Sequence, residues 1–383
     1  MQANQTELQS LVNEGVEAFQ RGDYAGAKAR LEQVTHSGQA NAQIWLLLAT
    51  ACRSLDDHAA EEAALDALLA LDPRVVRALI MKGDCRARAG DEGSALGLYT
   101  SARGIAAGQS LPDDLIAELH RIDTSIADLK GRRDDRREQS MMAQGFPAAL
   151  RSDRFNRSLD LLAGRTQIFV AEPTSYYFPD LPAIAFFDRA AFPWVAAVET
   201  ATDTIRGELM TILAEGGDGF RPYLRSDANR PRLDRNSLVD NLDWSALFLA
   251  ENGQVFDEAV ARAPATWTAL EAAPMPLIAQ SPTVMFSLLR PGARIAPHTG
   301  THNTRLICHL PLIVPPDCGF RVGSEVRQWE EGKLLIFDDT IEHEAWNHSD
   351  RDRVVLIFDI WRPELSDQER REVGALFAAA LSD

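Results

Sequence analysis

The chain has 383 residues, with 39 Lys plus Arg against 56 Asp plus Glu and a formal charge of -17. That length suits two or three domains, and a composition 45% hydrophobic and 25% charged is ordinary for globular proteins. The excess of acid argues against nucleic acid and anionic membrane surfaces, because both reward basic proteins.

The opening MQANQTELQS has no basic stretch followed by an apolar core, so no secretory signal is expected. No apolar run approaches the roughly 20 residues that span a bilayer. The nearest, 306–314, is interrupted by His309 and Pro311. Four cysteines, Cys52, Cys85, Cys308 and Cys318, lack CxxC spacing and are too few for a disulfide framework. The expectation is a soluble, cytoplasmic protein.

A repeat comes first along the chain. Gly15, Ala49 and Gly83 stand 34 residues apart, and Leu11, Trp45 and Leu79 keep the same step, as do Leu31, Leu65 and Tyr99. Gly22, Asp56 and Gly90 mark a turn in each unit, between two amphipathic segments of helical periodicity. This pattern resembles the tetratricopeptide repeat, with three units over 8–105, although Glu61 stands where alanine is usual. Such arrays present a concave surface that binds peptides or proteins, so a peptide or protein partner is expected; packing or dimerisation is the alternative.

Residues 106–165 read as a helical linker. Pro112-Asp113-Asp114 suits a helix start, with helix expected to about Lys130. The paired charges of 131–138 suit a solvated helix or a tether. Aromatic and proline-rich sequence begins near 165, and a second domain is placed at 166–383.

From about 280 the sequence turns to short apolar runs between turns. Residues 284–289, 305–314, 319–323, 333–337 and 354–361 read as strands, punctuated by Pro291-Gly292, Pro315-Pro316 and Glu331-Gly332. Such spacing suggests a double-sheet barrel or jelly roll. On it fall His298, then His343 45 residues later, then Arg353 ten further on. Imidazoles suit Fe(II), and an arginine can grip a carboxylate through two parallel hydrogen bonds. By spacing alone, unrelated surface or core histidines remain the simpler reading.

The surrounding words carry more. Ser287-Leu288-Leu289-Arg290-Pro291-Gly292, Pro297-His298-Thr299-Gly300, Asn303-Thr304-Arg305-Leu306 and His309-Leu310 resemble the aspartyl/asparaginyl β-hydroxylase family. So do Trp329-Glu330-Glu331-Gly332-Lys333, Ile336-Phe337-Asp338-Asp339, Glu342-His343-Glu344 and Trp361-Arg362-Pro363-Glu364-Leu365. The resemblance covers about 170–370. It implies a double-stranded β-helix with flanking helices, Fe(II), and 2-oxoglutarate and O2 as co-substrates. It further implies His298 and His343 as metal ligands, Arg353 with Ser287 for the distal carboxylate of 2-oxoglutarate, and His309 near its metal-bound end. His302 and His348 have no counterpart and read as loop residues. Many related oxygenases carry His-x-Asp, but here Gly300 takes the third position, so two protein ligands are expected. Asp339 is the residue expected to hydrogen-bond a water in the vacated place.

Arg305 matches a substrate-side arginine, whereas Ile307 stands where animal members have a second one. The leading expectation is hydroxylation of an Asp/Asn-type residue in a peptide or protein, with release of succinate and CO2. The alternatives are hydroxylation of a free amino acid or small carboxylate, and a non-catalytic scaffold built on the repeats.

Overall fold

The computed structural model of the protein describes residues 2–226 and 237–379. The chain forms two compact units, residues 1–163 and 164–383.

In the first unit three antiparallel helix pairs follow the 34-residue step: α1 (Gln2–Gln20) with α2 (Tyr24–His36), α3 (Ala42–Ser54) with α4 (His58–Leu71), and α5 (Val76–Arg88) with α6 (Glu92–Ala106). The turn positions have one conformation. Gly22, Asp56 and Gly90 all take positive φ, at 78°, 56° and 75°. The next residue in each case, Asp23, Asp57 or Asp91, caps the following helix by accepting from the backbone N–H of Gly26, Ala60 or Ser94. Gly83 is small because a Cβ there would run into the Tyr99 ring. Glu61, the departure from the repeat pattern, is fully buried. Its carboxylate pairs with Arg53 of α3 at 2.6 Å and with Arg88 of α5, so two arginines explain the acid.

The helix expected to end near Lys130 continues as α7 (Asp113–Ala143). Leu115, Leu119, Ile122 and Leu129 bury one face of it against Tyr99 and Ala102 of α6. Beyond Lys130 the paired charges are used: Arg132 and Arg136 both reach Glu92 of α6, at 2.9 and 2.6 Å. A separate helix, α8 (Asp153–Ala163), ends this unit.

Among its described residues the second unit holds twelve strands. They are β1 (Phe186–Phe187), β2 (Arg221–Pro222), β3 (Trp244–Glu251), β4 (Gln254–Val255), β5 (Val284–Leu289), β6 (Arg294–His298), β7 (Arg305–Ile313), β8 (Cys318–Val322), β9 (Glu325–Arg327), β10 (Leu335–Phe337), β11 (His343–Asn347) and β12 (Arg353–Trp361). One sheet runs β1-β10-β7-β12-β5-β3-β2, with β4 beside β3; the other runs β6-β11-β8-β9. From β5 to β12 the chain passes back and forth between the two antiparallel sheets, which is the double-stranded β-helix. Strand β3 was not foreseen, because WSALFLAE is buried nearly throughout and shows no alternation to tell strand from helix.

Strand parity decides what each side chain meets. Phe286 and Leu288 of β5, Leu306, Leu310 and Leu312 of β7, and Val354, Leu356 and Phe358 of β12 face the outer core. There they pack on Val198 of α9 (Val195–Thr200) and on Ile205, Leu209 and Ile212 of α10 (Thr202–Ala214). Each such burial contributes about 1.5–3 kcal/mol. The opposite parity, Ser287, Arg305, Ile307, His309, Arg353 and Ile357, lines a cavity between the sheets.

Candidate active site

The cavity has a volume of about 510 Å³. His298 ends β6 and His343 begins β11, and the two are direct cross-strand partners with ring centroids 4.1 Å apart. The sheet register thus closes a gap of 45 residues. Each ring is aimed by its own backbone: Nδ1 of His298 lies 2.8 Å from the Ala296 carbonyl oxygen, and Nδ1 of His343 3.1 Å from that of Ile341. A carbonyl only accepts, so Nδ1 carries the proton and Nε2 keeps its lone pair. Burial lowers the pKa of His298; burial and then the neighbouring His298 push His343 down to about 3. Both rings are therefore neutral at pH 7, the state that binds metals.

Gly300 follows two residues after His298, and its N–H donates to the Asp339 carbonyl at 2.7 Å. A Cβ at 300 would collide with the Asp339 carboxylate. The side chain of Asp339 therefore fills the space that a residue at 300 would use. Asp339 is buried, and its Oδ1 has no hydrogen-bond partner among the described residues. Burial pushes its pKa up to about 6, against the pull of Arg305. No group of three or more His, Cys, Asp or Glu among the described residues is placed to hold a metal.

Arg353 opens β12 and is only 1% exposed. Neither its Nε nor its Nη1 has a partner among the described residues. No acid among the described residues pairs with it; instead its guanidinium lies 4.7 Å over the Trp329 ring. Burial lowers its pKa to about 10, so it stays charged at pH 7. Ser287 is fully buried, and its Oγ accepts from Trp244 Nε1 at 3.2 Å. His309 sits against Phe337 and Phe320, with ring centroids at 4.8 and 5.0 Å, and its Nδ1 has no partner among the described residues. Burial, then Arg353 and His343, hold it well below the usual histidine pKa. Two neutral imidazoles with open Nε2 atoms, and a buried guanidinium with no counter-ion among the described residues, suit a divalent iron and a dicarboxylic keto acid.

Arg305 lines the same cavity but is not free of protein acids. Its Nη1 contacts Asp359 Oδ2 at 2.9 Å and its Nη2 lies 3.7 Å from Asp339 Oδ2, while Nε has no partner. Ile307, two residues on, lines the cavity as an apolar wall. His302 is buried against Phe377, and neither it nor His348 lines the cavity.

Several residues in and around the cavity escaped the sequence. Trp244 stacks on Tyr223 at 4.1 Å and tethers Ser287. Asp359 is buried, anchored by Ser281 Oγ and by the Thr283 N–H at 2.8 Å. The signal for Asp359 was present: it is the one acid within the apolar run 354–361. Trp329 belongs to a quoted motif, but nothing in the sequence tied it to Arg353.

Both units have matches among known proteins. Residues 199–363 match the family model for aspartyl/asparaginyl beta-hydroxylase, and residues 12–73 and 59–110 match that for a tetratricopeptide repeat. The chain is 41% identical over 183 residues to a human aspartyl/asparaginyl beta-hydroxylase, covering 48% of this chain and 23% of that one. It is 35% identical over 196 residues to an ornithine lipid ester-linked acyl 2-hydroxylase of Rhizobium tropici, covering 50% of this chain and 66% of that one. The chain thus spans about a quarter of the human relative's length. Among solved structures, PcrH in complex with the chaperone binding region of PopD aligns with 34% of this chain and 95% of its own, at 20% identity and a TM-score of 0.30. No helix among the described residues is long and apolar enough to cross a membrane. Over residues 199–363 the chain carries a domain that matches the aspartyl/asparaginyl β-hydroxylase family, with tetratricopeptide repeats matched ahead of it.

Proposed function

We propose that the C-terminal domain is an Fe(II)- and 2-oxoglutarate-dependent dioxygenase that hydroxylates an Asp/Asn-type side chain in a peptide or protein, releasing succinate and CO2. The observation that carries this reading is the buried guanidinium of Arg353, whose Nε and Nη1 have no partner among the described residues, in the same cavity as the His298–His343 pair. An isolated buried charge costs several kcal/mol, on the order of the desolvation of one ion, and an entering dicarboxylate removes that cost. Hydroxylase relatives at 41% and 35% identity support the reaction type.

In this reading His298 and His343 hold the iron through Nε2. Arg353 and Ser287 take the distal carboxylate of 2-oxoglutarate, and His309 contacts its other end. Bound iron with O2 supplies the oxidising power that protein side chains lack. The chain's own part is to keep both imidazoles neutral, to leave Asp339 as an acceptor for a water beside Gly300, and to exclude bulk water. Phe320, Phe337 and Trp244 form the apolar walls that do the last. The repeat array recruits the peptide.

Anaerobic addition of Fe(II) and 2-oxoglutarate is expected to give the weak visible charge-transfer band of a chelated keto acid. His343→Ala should abolish metal-dependent turnover. A wild type with neither the band nor 2-oxoglutarate binding would leave the scaffold reading in its place.

A further inference from the structure

The cavity contains a donor and an acceptor that the protein leaves unused, on two side chains of one ion pair. Arg305 Nε and Asp339 Oδ1 are both buried without hydrogen-bond partners among the described residues. Their residues line the cavity and approach to 3.7 Å through Nη2 and Oδ2. Buried polar atoms are satisfied almost without exception in folded proteins, so a vacant donor beside a vacant acceptor points to a ligand.

The charge around them restricts that ligand. Arg305 already faces two carboxylates, Asp359 and Asp339. Asp359 is fixed as an acceptor by Ser281 Oγ and the Thr283 N–H. One guanidinium between two acids leaves the cluster no positive charge to offer. Among the described residues lining the cavity the other arginine is Arg353, and no lysine takes part. Ile307 and Met285 bring no charge to the wall.

We propose that the group recognised beside the reacting carbon is a carboxamide, so that this site selects asparagine-type over aspartate-type targets. A carboxamide oxygen accepts from Arg305 Nε while its NH2 donates to Asp339 Oδ1. A carboxylate has acceptors only and would bring a third acid to one guanidinium, and an alkyl group would leave both atoms unsatisfied. A carboxylate oxygen takes two hydrogen bonds, so Asp339 serves both a water and the amide. The proposal rests on the hydroxylase reading above and deepens it.

The test uses the full chain with Fe(II), 2-oxoglutarate and O2, and paired peptide libraries of degenerate flanks with central Asn, Asp or Leu. Mass spectrometry reads the +16 Da product on the central residue. Asn is expected to exceed Asp and Leu by at least about tenfold in kcat/KM, since a site built for a hydrogen-bonding group rejects analogues that leave it unpaired. Binding of the same libraries to metal-free protein should show the same order. Asp359→Asn, checked for native circular dichroism, removes one acid from Arg305 and should raise Asp turnover relative to Asn by about tenfold. Equal or faster turnover of Asp or Leu peptides by the wild type overturns the proposal and leaves the oxygenase reading standing. If no peptide is hydroxylated while the charge-transfer band forms, the Asp/Asn target is wrong and the carboxamide with it. If the band is missing, the oxygenase reading itself falls.

Discussion

Arg353 lies against an aromatic face and meets no acid among the described residues. A cation over a desolvated indole gains about 1–2 kcal/mol. Trp329→Leu should therefore weaken 2-oxoglutarate binding by roughly 5- to 30-fold, with kcat at saturating co-substrate unchanged. Trp329→Phe should restore most of the affinity. Calorimetric titration of 2-oxoglutarate into both variants checks this, and an unchanged dissociation constant in Trp329→Leu would show that Arg353 needs no such support. At this scale the sequence was legible where fixed words mark residues, as with His298, His343 and Arg353, which the fold brings to one cavity. It was silent on pairings set by register: Trp329 and Asp359 meet partners 24 and 54 residues distant, which no local pattern reveals.

At the scale of elements, the repeat was legible because its turns and caps recur in step, from Gly22-Asp23 to Gly90-Asp91. Strands β6 and β11, which carry the histidines, were not. They are five residues each and, in β6, largely exposed, so no apolar run marks them. The helix pairs also hold a buried polar network whose strength can be measured. Removing Glu61 strands Arg53 and Arg88, which retain some solvent contact, so Glu61→Ala should cost about 2–3 kcal/mol, less than for a wholly buried pair. Burial works to raise the Glu61 pKa, but the hydrogen bonds from Arg53 and Arg88 outweigh it and the folded value is lowered. A lowered carboxyl pKa stabilises fully above the unfolded value of about 4.3 and is lost as pH falls through the folded one. Urea denaturation of the first unit's helical signal should show wild type losing its advantage over Glu61→Gln below about pH 4.3. Parallel pH profiles for the two would exclude this ionisation.

At the scale of the molecule, each unit closes its own core, the repeats around Leu31, Leu65 and Tyr99 and the barrel around Phe286, Leu310 and Phe358. All cavity residues named here belong to the second unit. Residues 164–383 produced alone should therefore bind 2-oxoglutarate within about twofold of the full chain, the scatter expected for an intact site. Loss of binding in a folded fragment would show that the repeats complete the site. The parity of the barrel strands has a further consequence. Along β7 and β12 one set of alternate positions lines the cavity and the other carries cohesion, so each strand behaves as a reading frame. Loops can lengthen or shorten without changing the frame, whereas one residue gained inside β7 would turn His309 to the helices and a leucine to the cavity. The two sets can drift separately: substrate preference can change at 305 and 307 while the leucines at 306 and 310 continue to hold the fold.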